Sequence, residues 1–414
     1  MLTPLLLLAF AFTPVDEPES GGKTLTQWIQ ELKSPSAKRR IEAADRLEMF
    51  REKSLPALDA MVVALKDSEP KVRALAAKAL GNLNAAGMPA VKNLIDVAKT
   101  SDTKTRAAAA IALGYISEKR GGEAVGVLAD MLADKEKSVR INAALGLGII
   151  AQNAKGINAK LIQGLGDSEP MVRERCAWVL LMLGPEAKDA APALAKATTD
   201  PDKSVRETSA RALGQVKGDA AVSVPALIPL LKDKEADVKK AAATALGYVG
   251  EKAEPAIPVL IETLKDPNKT VKRDCGLALS RIGKASIPPL IKALEEKEAQ
   301  IDVMAAIAWS GSSAGDAVPK LREILKDADA AKRVQALETL GQLSSTAKDA
   351  VPDMIAALKD KDKLVRAMAA ASFRLMGSEA KPAIGPLREA LKDADPLVRE
   401  VAKETLDMID RERK

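Results

Sequence analysis

The stretch "DKEADVKKAAATALGYVG", residues 233–250, recurs with small edits along nearly the whole chain. Each copy has an acid, then a Val followed by a base, then an Ala-rich run that often ends in Leu-Gly. Aligned on the residue after the Val, the copies form a ladder: Arg40, Arg73, Arg106, Arg140, Arg173, Arg206, Lys239, Lys272, Asp302, Arg333, Arg366 and Arg399. The step is 33 residues almost throughout. Such a period marks a stack of small units, each packed only on its neighbours. A stack also frees 414 residues from the limit that splits long chains into separate compact domains.

Six residues before most ladder positions stands an acid: Asp67, Asp134, Asp167, Asp200, Asp233, Asp266, Glu296, Asp327, Asp360 and Asp393. Prolines recur eight residues before the acid, at Pro192, Pro225, Pro258, Pro288, Pro319 and Pro352. Each unit therefore reads as two helices. The first is short and carries its Pro in the first turn, where the missing N–H has no intrahelical acceptor to lose. The second follows the acid, with positions −1, +3, +7 and +10 apolar or small, one face of an α-helix. Gly at +8 (Gly81, Gly114, Gly148, Gly214, Gly247, Gly341) allows neighbouring helices a close approach. The acid is placed to cap the second helix, and its stacked copies lie near the stacked bases. A pair repeated about ten times is scaffolding, since a catalytic pair would occur once.

Ankyrin and tetratricopeptide arrays have similar periods, but their signatures need a His or several aromatics. This chain has no His, three Trp, two Tyr and four Phe. The Pro–Asp–Arg spacing resembles HEAT repeats, in the short HEAT-like form also found in phycobilin lyases. The resemblance covers residues 24–414 and implies an all-α, right-handed α-α superhelix of the armadillo type, with about twelve helical hairpins. It also implies that the acid and base (Asp67, Arg73, Asp134, Arg140, Asp167, Arg173, Asp200, Arg206, Asp233, Lys239) form a hydrogen-bonded ladder between repeats. The ninth copy departs from the pattern near 284–319. Its ladder residue is Asp302, acids crowd before it, and "WSGSSAGDAVP" is too rich in Gly and Ser to continue a helix, so a hinge or kink is expected there, with a decayed repeat as the alternative.

Residues 1–22 are unlike the rest. Leu5–Phe12 is a short apolar run, and Ala9-Phe10-Ala11 fits a small-x-small cleavage site, although no Lys or Arg precedes the run. Residues 1–11 therefore read as a signal peptide, 12–23 as a flexible mature N-terminus, and the protein as periplasmic or secreted. No other run approaches membrane-spanning length.

Chemistry has little purchase here. Without His the commonest general base and metal ligand are missing, and two distant Cys cannot make a zinc site, so neither enzyme activity, cofactor nor metal is expected. Cys176 and Cys275, both at +3, read as buried free thiols. Gly146/Gly148 and Gly164/Gly166 are repeat glycines, with no strand before them to make a phosphate loop.

Positions +1, +5 and +9 of the second helices point away from the buried face, and the resemblance places those helices on the concave side. Copies three to five carry Ile111 and Tyr115, then Ile141, Leu145 and Ile149, then Trp178 and Met182. Contiguous apolar surface of this kind marks a binding site. Arg211, Lys240, Arg273 and Arg281, with Tyr248, would continue it as a basic stretch, while Trp309, at +7, reads as core. The expected function is an exported scaffold that binds a protein along its concave face. The rivals are a bilin lyase or isomerase, weakened by the missing His, and binding of an anionic polymer or nucleic acid through the basic stretch. Expected export and the absence of interleaved aromatics weigh against the last, and the mild net charge of +6 more often serves only to solubilise helix surfaces.

Overall fold

The computed structural model describes residues 17–411, and the expected signal peptide, 1–11, lies outside them. So do residues 12–16 of the segment expected to be flexible. The remainder of that segment is a small hairpin: Glu19–Ser20 pairs antiparallel with Lys23–Thr24 around Gly21 and Gly22, both with positive φ. It rests on the first helix, where Trp28 is buried and donates its indole N–H to the Ser20 carbonyl at 2.8 Å.

Everything else is helical hairpins, in two compact units, residues 17–183 and 184–411. In the N-terminal unit the second helices are α1 (Ala37–Met49), α2 (Pro70–Gly81), α3 (Thr103–Ser117), α4 (Lys137–Ile149) and α5 (Pro170–Leu183). The C-terminal unit has α6 (Lys203–Gln215), α7 (Ala236–Val249), α8 (Lys269–Ile282), α9 (Gln300–Trp309), α10 (Ala330–Gln342), α11 (Lys363–Ser372) and α12 (Pro396–Arg411). The first helices are short, mostly one to two turns, as at Ile257–Thr263 with Pro258 in its first turn. Pro225 is the exception: Asp219 caps a helix that starts earlier, Ala220–Leu227, and leaves Pro225 inside it.

Within each unit, successive second helices pack closely along their length, and successive first helices touch far less. Each unit therefore curves with its second helices inside. Glycine makes the close approach possible. A Cβ on Gly114 would stand 2.6 Å from the Gly146 Cα, and one on Gly214 would stand 2.7 Å from the Ala245 Cα. Near the C-terminus hydroxyls add a cross-link, as Ser372 and Thr405 donate to the carbonyls of Leu337 and Ala370.

The ladder is built as a fork. Arg206 donates through Nη1 to the carbonyls of Asp200 and Pro201, closing its own turn, and through Nε and Nη2 to Asp233 of the next hairpin at 2.7 and 3.0 Å. The same arrangement joins Arg40 to Asp67, Arg140 to Asp167, Arg333 to Asp360 and Arg366 to Asp393. The acid is not the helix cap that its spacing suggested. Asp200 accepts the N–H of Asp202 in a tight side-chain turn, and Asp202 is the cap, accepting from Ser204 and Val205. In the third hairpin, which lacks the acid, the cap Asp102 takes Arg73 at 2.6 Å instead.

The ninth hairpin is assembled differently from the alignment on Asp302. Gln300, not Asp302, occupies the ladder position: its side-chain amide donates to the Leu294 carbonyl six residues back, the bond that Arg Nη1 makes elsewhere. Asp302 instead serves as the acid for Lys272, at 2.7 Å. Counted from Gln300, the step to Arg333 is the regular one, and the shortening lies before it, between Lys272 and Gln300. Gln300 carries no charge to send across to Asp327, whose ion pair is with Lys332 at 4.0 Å.

Candidate binding face

On α3, α4 and α5 the outward side of the second-helix row carries a run of apolar side chains, whereas α1 and α2 carry Asp45 and Lys78 there. Ile111 on α3, Ile141 and Leu145 on α4, and Trp178 on α5 are all half-buried, on three helices that pack in sequence. Tyr115 and Met182, at +9, are more open, at 44% and 36%. The Trp178 indole lies along Gly148 of α4, its Cδ1 3.8 Å from where a Cβ would stand. The ring thus packs against the side of α4, half-buried, at a separation that a Cβ there would also allow.

The basic stretch expected in the C-terminal unit is largely neutralised by acids on its own helices. Arg211 pairs with Glu207 at 2.6 Å, Lys240 with Asp237 at 2.7 Å and Arg273 with Asp274 at 3.0 Å. Arg281 differs, standing over the Tyr248 ring at 5.1 Å. Trp309 is not core. It is 41% exposed, because the shift of the ladder residue to Gln300 moves Trp309 from +7 to +9, and Ile307 takes the buried +7 place. The residues that sequence reasoning missed are thus Gln300 and Trp309. The missed signal was the unbroken 33-residue step back from Arg333 to Gln300.

The titratable groups are set up for structure. Burial pushes the carboxyls of Asp67, Asp167 and Asp233 up, but hydrogen bonds from the Arg fork and a backbone N–H outweigh it and hold all three below the usual carboxylate range. At Asp102 burial is likewise overcome, by Thr105 and Arg73, and the carboxyl is held at about 2. Such groups are fixed anions, far from the near-neutral value that proton transfer needs. Burial pushes both Cys176 and Cys275 up to about 12, and each is a buried free thiol. Attachment of a bilin through either would need the hairpin to open. Among the described residues no helix is long and apolar enough to cross a membrane. On the outer row, a cleft of about 670 Å³ is lined by Ile29, Pro56 and Val63, among others.

Comparison with known proteins gives the fold a family. The HEAT-repeat family matches residues 91–157, 158–224, 224–309 and 318–412. No curated protein matches the chain. Among solved structures, it is similar to a chain from "Kap95p Binding Induces the Switch Loops of RanGDP to adopt the GTP-bound Conformation: Implications for Nuclear Import Complex Assembly Dynamics", with a TM-score of 0.52 and 12% identity. The likeness covers 94% of this chain and 62% of that one. Identity this low speaks for the fold and not for a shared partner. Matched by the repeat over most of its length and stacked as the repeat requires, the chain belongs to the HEAT-repeat family.

Proposed function

We propose that this chain is a non-catalytic scaffold that holds a protein partner against the second helices of its N-terminal unit. The observation behind this reading is the run of half-buried Ile111, Ile141, Leu145 and Trp178 on three consecutive helices, at positions where the next two, α6 and α7, carry Glu207, Arg211 and Lys240. Apolar side chains gathered on a rigid curved surface are how repeat proteins obtain affinity from a few anchors. The fold is shared with a structure whose description has Kap95p binding act on RanGDP, which fits a binding platform.

Capture of the native partner by the full chain tests the reading. Trp178→Ala is expected to weaken binding by about 30-fold, roughly 2 kcal/mol, as central aromatic anchors do. The thermal midpoint should move less than for a core Trp, because the ring is only half-buried. Retained affinity, or loss of the fold instead of the partner, would remove the patch from the account. The reading includes export, on the strength of Leu5–Phe12 and Ala9-Phe10-Ala11. N-terminal sequencing of native protein should begin at Phe12; retention of Met1 in a cytosolic fraction would exclude it.

A further inference from the structure

With Gln300 as the ladder residue, Tyr248, Arg281 and Trp309 all fall at position +9, on the consecutive helices α7, α8 and α9, each packed on the next. All three are exposed, Tyr248 at 51% and Trp309 at 41%. They are also seated, not merely open. The Arg281 guanidinium lies over the Tyr248 ring, an attraction between a cation and a π face. The Trp309 ring occupies the place a side chain on Gly276 would fill, and α6 and α7 carry Ala210 and Ala243 where α8 has that glycine. Beside Tyr248 opens a cleft of about 400 Å³, with Leu213 and Val249 among its apolar lining and two bases, Lys217 and Lys252, against one acid, Glu251.

We propose that these residues form a second anchor, which takes an acidic peptide segment bearing apolar side chains from a protein partner. The proposal rests on the scaffold reading. Trp, Tyr and Arg are the side chains that concentrate binding energy at protein interfaces. Among the described residues, Arg281, Lys217 and Lys252 have no carboxylate in ion-pairing range, unlike Arg211, Lys240 and Arg273 on the same face. A carboxylate from outside supplies the missing partner, and the Arg fork can hold it with two hydrogen bonds. Apolar side chains of the peptide would cover Trp309 and enter the cleft. A nucleic acid fits less well, because Arg211, Lys240 and Arg273 are already paired with acids and leave no continuous basic track for a phosphate chain.

The test uses the full chain and three probes: a fluorescein-labelled heptapeptide alternating Glu with Leu and Phe, its Lys-for-Glu counterpart, and an oligothymidylate. The acidic peptide should bind at least about ten times more tightly than either of the others. Arg281→Glu should lower its affinity about tenfold or more, and Trp309→Ala by a similar factor, as loss of hot-spot residues does. Val63→Glu, on an exposed outer position, should leave it unchanged. If Trp309→Ala unsettles α9, Arg281→Glu still decides, since its side chain is exposed. Equal binding of the two peptides, preference for the oligonucleotide, or indifference to Arg281→Glu each overturns the proposal. These probes need no native partner, so failure here leaves the N-terminal anchor standing, and failure of Trp178→Ala leaves this one standing.

Discussion

Arg206 shows how one side chain holds two repeats. It is buried, satisfies two carbonyls of its own turn, and presents the remaining edge of its guanidinium to Asp233 of the next hairpin. Arg206→Ala is expected to cost about 1–3 kcal/mol, because two carbonyls and a carboxylate lose their donors at once. An unchanged urea midpoint would show the ladder to be ornamental. At Gln300 the prediction separates two assignments. Gln300→Leu should cost about 1 kcal/mol, by stranding the buried Leu294 carbonyl. Asp302→Ala should cost less, since the Lys272–Asp302 pair is partly solvated. The reverse order would restore Asp302 to the ladder. The ladder itself was readable from the sequence because Asp and Arg recur at fixed spacing. Its atomic roles were not: a spacing of six residues cannot tell a helix cap from a turn two residues before the cap. Nor can a charge pattern show that an uncharged Gln has taken an arginine's place.

Helix by helix, the second helices decide the geometry, and glycine decides how close they come. Gly114→Ala should destabilise the N-terminal unit by about 1–3 kcal/mol, because its Cβ would press on the α4 backbone and overpack the contact. Gly126→Ala, in the helix Glu123–Met131 with nothing within 4 Å of the new methyl, should be neutral or stabilising by up to about 1 kcal/mol through helix propensity. Thermal melts of the two variants should therefore move in different ways; a rise in both would mean that propensity outweighs packing. The helices themselves were legible from the 3.6-residue pattern. Pro225 was misplaced because an Asp cap upstream is as good a helix start as a Pro in the first turn. Trp309 was misplaced because the pattern was counted from the wrong ladder residue, and two positions carry a side chain from the core face to the exposed one.

At the scale of the whole molecule, the repeated ion pairs make the fold sensitive to acid and indifferent to the neutral range. The ladder carboxyls titrate lower in the folded chain than in the unfolded one, so their contribution is full above the unfolded value, about 4. It is lost as pH falls through the folded values, which reach about 2 at Asp102. The thermal midpoint should stay level from pH 8 to about 5, where the absence of His leaves no side chain of ordinary pKa to titrate, and then fall steeply toward pH 2. A step between pH 6 and 7 would require a titrating group that the structure does not explain. What the sequence could not specify is how far each of these side chains is covered, since exposure depends on how neighbouring hairpins pack on one another. Photo-crosslinking with the native partner addresses this most directly, with a benzophenone amino acid placed in turn at Tyr115, Met182 and Tyr248 on the second helices and at Val63 and Lys99 on the first. Adducts are expected from the second-helix positions and none from the other two; adducts at Val63, beside the outer cleft, with none at Tyr115 or Met182, would put the partner on the first helices instead.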